Sequence, residues 1–422
     1  MRRLVCTDVR ETVAELRSTA PRSDDVRRVV AAILGDVRRR GDTALRRHTE
    51  RLDGVTLPSP IGVSEAAMRE ALAALAPELR TALETAAANV RAYHEREAPT
   101  SWRETLAQGQ VVGQEVIPLD VAGLYVPGGL ANYPSSVLMT SIPARVAGVG
   151  RLVACSPPRP GGGVASGVAA ACALLGVDDL FPVGGAQAVA AMAFGTESVP
   201  RCDIIVGPGN AYVTEAKRQV MGEVAIDSLA GPSEVVIVAD RRGKPAWLAA
   251  DLLAQAEHGA GAMGALLDIG GALGDAVQAE AETLAGELGM ATDGAAVVAV
   301  PDLDTAIALV NEFAPEHLEL HLRDAEAVVP RIRNAGAIFV GPDTATAFAD
   351  YAAGTNHVLP TAGAARFAQG LSVVDFQKRV GVVRMDRAAA RSLATPVAVV
   401  AEEEGLPAHA RSVRLRARDG EV

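Results

Sequence analysis

A carboxylate, an amide and an imidazole follow one another at helical spacing in residues 251–259. The stretch is typical of the last turns of a helix that ends at Gly259, because glycine readily adopts the left-handed conformation after a helix C-terminus. At about 3.6 residues per turn, Asp251, Gln255 and His258 fall within about 60° of one another around the axis. An imidazole nitrogen and an amide oxygen one turn apart can bind one divalent cation. The alternative is a helix end with a polar, solvated edge.

An adjacent carboxylate and imidazole, Glu316 and His317, follow Pro315. Neighbouring residues in an extended or turn segment can face different sides of one substrate, which suits separate acid and base tasks. The alternative is an exposed helix start, where the helix dipole would favour Glu316. His321, four residues further on, is expected at the surface.

Two more segments supply possible metal ligands. Asp350 ends a predicted Ala-rich helix and His357 follows in a loop, while Glu404 and His409 lie near the C-terminus. Nitrogen and oxygen donors without a cysteine suit zinc or a similar divalent ion rather than a purely structural thiolate site. The pattern alone does not show which histidines are ligands and which are bases. The candidate ligands are Gln255, His258, Asp350 and His409.

Three small-residue turns follow predicted strands, at residues 127–129, 184–187 and 207–209. The last has only the first two glycines of a GxGxxG fingerprint, yet it follows a strand and opens a helix. Such a turn places backbone N–H groups at the carboxyl end of a strand, where dinucleotides bind. A tight strand-to-helix turn needs the same glycines, so each turn by itself is a weak signal, and the three together favour a nucleotide crevice.

Composition limits the class of protein. A chain of 422 residues with 49% hydrophobic content can form two or more domains. A formal charge of −11 argues against a nucleic-acid partner. The four cysteines show no CxxC spacing, and neither a signal peptide nor a membrane span is predicted. We therefore expect a cytoplasmic protein that binds neither nucleic acid nor membrane.

The order of elements predicts an α/β fold. Residues 1 to about 115 are expected to be mostly helical, with His48 and His94 exposed. Short β-branched runs then alternate with Ala-rich helices, which indicates parallel sheets covered on both faces. We predict a helical N-terminal segment (1–22), a larger α/β domain (23–123 and 234–370), an inserted nucleotide-binding domain (124–233) and a tail (371–422). The tail has little predicted core and is expected to pack on a second subunit.

Seven segments together resemble the histidinol dehydrogenase family. They occur in the family's order and cover nearly the whole chain. They are residues 123–129, 205–210, 230–235, 255–259, 314–317, 354–361 and 404–406 with His409. The resemblance implies two incomplete Rossmann-like domains and a homodimer in which the tail of one subunit completes the other's site. It also implies the last steps of histidine biosynthesis, in which zinc-dependent oxidation converts L-histidinol through L-histidinal to L-histidine with two NAD⁺.

The resemblance also implies roles for individual residues. Glu316 and His317 would be the catalytic pair. One Zn²⁺ per subunit would bind Gln255, His258, Asp350 and His409. Tyr125, Gln187 and Asn210 would contact NAD⁺. The substrate would be bordered by Ser233, Gln255, His258, His317, Asp350, His357, Glu404 and His409.

In the expected chemistry the metal positions the substrate by its imidazole and amine nitrogens. His317 takes the hydroxyl proton while hydride leaves, and Glu316 activates water to hydrate the aldehyde. A thiohemiacetal on Cys155 or Cys202 is the competing route, disfavoured because both lie in apolar, strand-like surroundings. Rival hypotheses are a zinc hydrolase, a metal-binding relative without activity, and oxidation of a related amino alcohol. Co²⁺ or Mn²⁺ could also suit the same donors.

Overall fold

The computed structural model describes residues 1–17, 24–128, 132–259 and 261–418. Its contacts divide the chain into two units, the first comprising Met1–Glu97 and Leu119–Phe376, the second Ala98–Pro118 and Gln377–Val422. Within the described ranges no helix combines the length and apolar character needed to cross a membrane.

Strands and helices alternate through most of the chain. The strands are β1 (Arg2–Val5), β2 (Trp102–Thr105), β3 (Val111–Pro118), β4 (Val121–Tyr125), β5 (Arg151–Cys155), β6 (Asp179–Phe181), β7 (Ile204–Val206), β8 (Ala225–Ile226), β9 (Glu234–Ala239), β10 (Met263–Ile269), β11 (Ala295–Val300), β12 (His317–His321), β13 (Ala337–Val340) and β14 (Gln377–Arg384). The helices are α1 (Val9–Arg17), α2 (Asp24–Asp53), α3 (Glu65–Ala73), α4 (Pro77–Glu97), α5 (Pro134–Ala147), α6 (Ser166–Leu175), α7 (Gly185–Phe194), α8 (Ala211–Val220), α9 (Pro245–Ala256), α10 (Gly274–Leu288), α11 (Leu303–Phe313), α12 (Ala325–Val328), α13 (Thr346–Tyr351), α14 (Arg387–Glu403) and α15 (Pro407–Ala417).

The smaller parallel sheet has the strand order β6-β5-β4-β7-β8. If these five strands are numbered along the chain with β4 as the first, their order in the sheet is 3-2-1-4-5. This is the order of a Rossmann sheet without its sixth strand. The strands are short apolar runs, and β7 is buried along its whole length. Such runs are typical of a parallel sheet that helices cover on both faces. The strand order reverses between β4 and β7, and in open α/β sheets ligands bind at the carboxyl ends of the strands at such a point.

The larger parallel sheet repeats this order. Its strands run β1-β11-β10-β9-β12-β13, so the five strands from β9 onwards follow the same Rossmann sequence and β1 adds an edge strand. The prediction of an α/β fold with two parallel sheets is confirmed. The prediction that residues 1–22 are helical is wrong for Arg2–Val5, which pairs with Ala296–Ala299 of β11. A four-residue strand whose partner lies nearly 300 residues away gives no periodic signal within its own window.

The helices α2, α3 and α4 confirm the helical character predicted for the N-terminal part. Their buried faces, however, belong to the cores of the smaller sheet: Val30 and Leu45 pack with Val153, and Val90 shares a cluster with Leu124. The prediction had grouped residues 23–123 with the larger sheet. An amphipathic face shows that a helix is covered, but not by which sheet.

His48 and His94, expected at the surface, are both buried. His48 Nε2 lies 2.8 Å from a carboxylate oxygen of Asp36, and His94 Nδ1 lies 2.7 Å from Glu97. The expectation was wrong because a polar side chain can be buried where a hydrogen-bond partner compensates for the lost hydration.

The second unit contains a three-stranded antiparallel sheet, β14-β3-β2, and the helix pair α14 and α15. Strand β14 pairs along its whole length with β3. The two helices share a small core of Ala398, Ala401 and Ala410. The segment after residue 376 therefore has regular elements that the sequence did not predict, because its alanine-rich helices bury only small side chains.

Candidate active site at the amino edge of the larger sheet

Glu316 and His317 lie where the chain enters β12. The preceding helix α11 ends at Phe313, and Ala314 then adopts a left-handed conformation with φ of 52°. Pro315 prevents a continuation of the helix. The alternative of an exposed helix start is therefore wrong, since His317 is the first residue of a fully buried strand.

The carboxylate of Glu316 accepts two hydrogen bonds from the start of β9. Ser233 Oγ donates at 2.6 Å and the backbone N–H of Glu234 at 2.8 Å, both to Oε2. Burial raises the pKa of Glu316 to about 7. The two hydrogen bonds and the charge of His258 act in the other direction and lower this pKa, but burial has the larger effect. A carboxyl group with a pKa near neutrality can both accept and release a proton at physiological pH.

The imidazole of His317 is held in one tautomer. Its Nδ1 lies 3.1 Å from the backbone carbonyl oxygen of Glu234, an acceptor only, so Nδ1 carries the proton and donates. Nε2 then keeps its lone pair, lies 3.8 Å from Asp350 Oδ1, and has no hydrogen-bond partner among the described residues. Burial lowers the pKa of His317, so the ring is neutral near pH 7. The arrangement is that of a general base whose accepting atom is free.

Two further predicted site residues, Asp350 and His357, are joined by a hydrogen bond. Asp350 is the fifth residue of α13, and His357 Nδ1 donates to its backbone carbonyl at 2.8 Å. Burial raises the pKa of Asp350 to about 6, and burial lowers the pKa of His357 to about 4. The neighbouring Asn356 fixes this loop, since its amide donates to the carbonyl of Met139 at 2.7 Å.

The predicted ligands Gln255 and His258 lie at the C-terminal end of α9. The helix ends at Ala256 rather than reaching Gly259, and Glu257 forms its C-cap. Gln255 is 3% exposed, and its Nε2 has no partner in the part of the chain described. His258 is exposed; partial burial lowers its pKa, and the charges of Glu316 and His317 act on that pKa in opposite directions. Gln255 and His258 thus lie at one helix end, and His258 is near enough to Glu316 and His317 for their charges to act on it.

Two predicted residues belong to the second unit. Glu404 is the C-cap of α14, and His409 is an exposed residue in the first turn of α15. The structure of this single chain places Ser233, His258, Glu316, His317, Asp350 and His357 together in the first unit.

A metal ion fits the residues of the first unit. Burial raises the pKa of Glu234 to about 7, as it does for Glu316, and that of Asp350 to about 6. It is costly for several buried carboxyl groups to be ionised at the same time. A bound cation would stabilise them as anions. The buried, unsatisfied amide of Gln255 and the free lone pair of His317 are also groups that a ligand would satisfy.

The residues predicted to bind the nucleotide lie at the carboxyl ends of the strands of the smaller sheet. Glu316 and His317, by contrast, lie at the amino end of a strand of the larger sheet. Tyr125 ends β4, and its hydroxyl accepts a hydrogen bond from Gly185 N at 3.0 Å. Gln187 is buried in α7 and donates to Asp53 at 3.4 Å. Asn210 is exposed and caps α8, its Oδ1 accepting from Tyr212 N and Val213 N. Gly129, part of another predicted turn, lies outside the described residues.

The turn at residues 207–209 depends on glycine. Gly207 has φ of 113°, and a Cβ there would lie 2.1 Å from the carbonyl oxygen of Tyr125. Sequence reasoning missed the buried ion pair beneath this turn. Lys217 pairs with Asp227, Lys217 Nζ donates to Gly207 O at 3.0 Å, and Asp227 accepts from Gly207 N at 2.7 Å. A lysine on the apolar face of a predicted helix was the available signal.

A second group that sequence reasoning missed is the set of half-buried Asp251 and buried Glu319 and His321. Their ligand-type atoms all lie within 4.8 Å of one another. His321 is 3% exposed, so its assignment to the surface was wrong. The signal was alternation in β12, because His317, Glu319 and His321 point to one face of the strand.

The cysteines lie in surroundings that suppress thiolate formation. Cys155 and Cys202 are buried, and burial raises the pKa of Cys155 well above its ordinary value and that of Cys202 to about 12. Because the thiolate is the nucleophile, neither thiol is prepared to attack an aldehyde.

Two sheets of Rossmann strand order, glycine turns at one carboxyl edge and a buried acid–imidazole pair are the features of an α/β dehydrogenase. Comparison with known proteins agrees. The family model for histidinol dehydrogenase matches residues 16–417, and the chain belongs to the histidinol dehydrogenase family. It is an enzyme, an oxidoreductase, and the hydrolase and inactive-relative hypotheses are rejected.

The relatives match over almost their whole lengths. The chain is 48% identical over 420 residues to the histidinol dehydrogenase of Rhizobium meliloti, covering 98% of this chain and 96% of that protein. The crystal structure of histidinol dehydrogenase from Elizabethkingia anophelis has a TM-score of 0.93 at 32% identity, covering 99% of this chain and 98% of that one. An acetylating aldehyde dehydrogenase from Geobacillus thermoglucosidasius, with a TM-score of 0.51 at 14% identity, covers 90% of this chain and 96% of its own, and shows the fold alone.

Proposed function

We propose that this enzyme oxidises L-histidinol through L-histidinal to L-histidine, with two NAD⁺ as hydride acceptors. The observation that carries the proposal is His317, a buried neutral imidazole whose Nε2 lone pair is free and 3.8 Å from Asp350 Oδ1. The free lone pair supports the proposal that this atom takes a hydroxyl proton from a substrate bound at Asp350. The close relatives named histidinol dehydrogenase support histidinol as the substrate.

We propose that one Zn²⁺ per subunit is held by Gln255, His258 and Asp350, with His409 as the fourth ligand. When bound, the ion would anchor the imidazole and amine nitrogens of histidinol and stabilise negative charge beside them. The donor set contains only nitrogen and oxygen, which zinc accepts. The free amide of Gln255 is consistent with this role, because rotation of the side chain presents its oxygen.

In the first oxidation, His317 Nε2 accepts the hydroxyl proton while the carbinol hydrogen leaves as hydride to NAD⁺. The hydrogen bond from Nδ1 to Glu234 O keeps the ring oriented and stabilises the imidazolium that forms. The product of this step is the aldehyde. NADH must then leave and a second NAD⁺ must enter at the carboxyl edge of the smaller sheet, where we propose that Tyr125, Gln187 and Asn210 contact it.

In the second oxidation, Glu316 takes a proton from water as the water oxygen adds to the aldehyde carbon. The proton that His317 holds from the first oxidation goes to the aldehyde oxygen, which gives a gem-diol and returns His317 to its neutral form. Ser233 and Glu234 N hold the acceptor carboxylate in place. His317 then takes a hydroxyl proton as the second hydride leaves, and the carboxylic acid results. His357 and Glu404 are proposed to border the substrate with Ser233.

The site is proposed to be completed by the tail of a second subunit, which brings His409 and Glu404. The exposed position of both residues supports this. The second unit also exposes apolar side chains that a partner could cover. These are Val380, Val383, Val397, Val399, Val400, Leu406 and Leu415. We propose a homodimer that works in the cytoplasm.

The test is a stoichiometric assay with purified, zinc-loaded protein. A limiting amount of L-histidinol should yield two NADH per histidinol consumed, with L-histidine as the final product. Release of one NADH and accumulation of an aldehyde would contradict the four-electron reaction. A set of related amino alcohols serves as the comparison for substrate choice.

A further inference from the structure

The set of half-buried Asp251 and buried Glu319 and His321 lies directly beyond the proposed active site. On β12, Glu319 and His321 follow His317 on the same face of the strand. On α9, Asp251 precedes Gln255 by about one turn. Glu319 is completely buried, a position that is costly for a carboxyl group unless its oxygens are bonded.

Glu319 bonds to the element that carries Asp350. Its Oε1 accepts from both the backbone N–H and the hydroxyl of Thr346, each at 2.8 Å. Thr346 is the first residue of α13, and the residue before it, Ala345, has no side chain that could cap the helix. Glu319 therefore provides from a neighbouring strand the acceptor that this helix start lacks.

Its second oxygen faces the other two members of the set. Glu319 Oε2 lies 3.1 Å from His321 Nε2, and His321 Nε2 lies 3.9 Å from Asp251 Oδ2. Burial, and next the charge of Glu319, raise the pKa of Asp251 to about 7. Glu319 on β12 thus bonds α13 directly and reaches Asp251 of α9 through His321.

The helix α13 is short and buries few side chains. It has six residues, and Ala349 is the buried one. Phe348 and Tyr351 are 61% and 63% exposed. Asp350, one turn after Thr346, is held at its backbone carbonyl by His357 and, at the start of its helix, by the bonds from Thr346 to Glu319.

We infer that Glu319 is a positioning residue for the proposed metal site: by bonding Thr346, and by contacting Asp251 through His321, it fixes Asp350 and Gln255 relative to His317. This inference rests on the proposed function. Partners of metal ligands act in this way because they restrict the ligand to the geometry that the ion requires. Glu319 itself touches neither substrate nor metal in this scheme.

The experiment measures zinc affinity of the full-length protein by competition with a chromophoric chelator, beside kcat and KM for histidinol. Glu319→Ala should weaken zinc binding about 10- to 100-fold, the range typical of lost outer partners of metal ligands. Glu319→Gln keeps an acceptor oxygen for Thr346 and should recover most of that loss. Thr346→Val, which removes only the hydroxyl, should shift affinity in the same direction by a smaller factor and provides the test if the alanine variant does not fold.

Asp268→Asn is the matched control. Asp268 is buried in the same sheet and accepts from Leu273 N at 2.8 Å and Gly274 N at 2.9 Å at the start of α10. Its substitution should lower the melting temperature without changing zinc affinity.

The inference is overturned if the Glu319 and Thr346 variants bind zinc as tightly as the wild type. It is also overturned if the wild type holds a second zinc equivalent that Glu319→Ala loses, since the set would then be a metal site itself. A wild type that neither binds zinc nor reduces NAD⁺ with histidinol would instead contradict the proposed function.

Discussion

Removal of the Ser233 hydroxyl should raise the pKa of Glu316 and shift the pH dependence of aldehyde oxidation. Ser233 Oγ donates to Glu316 Oε2 at 2.6 Å, so Ser233→Ala removes one of two bonds that stabilise the ionised carboxylate. A hydrogen bond to a charged group contributes about 1.5–3 kcal/mol. Since one pKa unit corresponds to about 1.4 kcal/mol, the expected rise is about 1–2 units.

The sign of the effect follows from the role of Glu316 as a base. Only the ionised carboxylate can accept a proton from water, so a higher pKa moves the acidic limb of the rate profile to higher pH. The pKa of Glu316 is about 7 without a metal, and a bound cation lowers the starting point for both proteins equally. The difference between variant and wild type is therefore the quantity to measure.

The assay follows NADH formation between pH 5.5 and 9.5, in steps of about 0.5 unit that resolve the expected shift. L-Histidinal is supplied as the substrate, so that only the second oxidation is measured. Ser141→Ala is the control, because Ser141 is buried and its hydroxyl has no partner within the described ranges. A folded Ser233→Ala enzyme whose acidic limb stays in place, or moves to lower pH, would refute the assignment of Glu316 as the hydrating base.

Three other perturbations test separate parts of the scheme. Mixing inactive His409→Ala and His317→Ala subunits should restore activity in the hybrid dimer, which carries one site without either substitution; no recovery after demonstrated subunit exchange would contradict a site shared between subunits. The double change of Cys155 and Cys202 to Ala should leave turnover within about threefold of wild type, because burial keeps both thiols protonated; loss of activity in a folded variant would favour the thiohemiacetal route. Lys217→Met should lower stability by about 3–5 kcal/mol, since it leaves a buried carboxylate unpaired, and denaturant unfolding that shows no loss would contradict a role for this pair in fixing the 207–209 turn.

The sequence predicts the local parts of the site and misses its long-range parts. The spacing of Gln255 and His258 and the adjacency of Glu316 and His317 are local, so they were visible as patterns. The strand β1 was not, because its four residues gain their structure from pairing with β11. Alternation in β12 could assign Glu319 to the face of His317, but not its bond to Thr346, which is 27 residues away and on another element.

The edge of the sheet that carries the site was also not predictable from topology alone. The rule for open α/β sheets places ligands at the carboxyl ends of strands, where the order reverses. The smaller sheet follows that rule with Tyr125 and the turn at residues 207–209. In the larger sheet, Ser233 and His317 lie at the amino ends of β9 and β12 instead. A search guided only by the rule would have examined the opposite end of β12.

The two edges suit ligands of opposite charge. In a parallel sheet the helices run back against the strands, so the carboxyl edge faces helix N-termini and the amino edge faces helix C-termini. Helix N-termini carry partial positive charge and favour phosphates, as expected at the start of α8. The helices α9 and α13 end at Ala256 and Tyr351, beside the proposed ligands His258 and Asp350. Their C-terminal carbonyl groups add partial negative charge there, which favours a cation. The same strand order is therefore compatible with the proposed dinucleotide site at one sheet and the proposed metal site at the other, because the two sites use opposite edges.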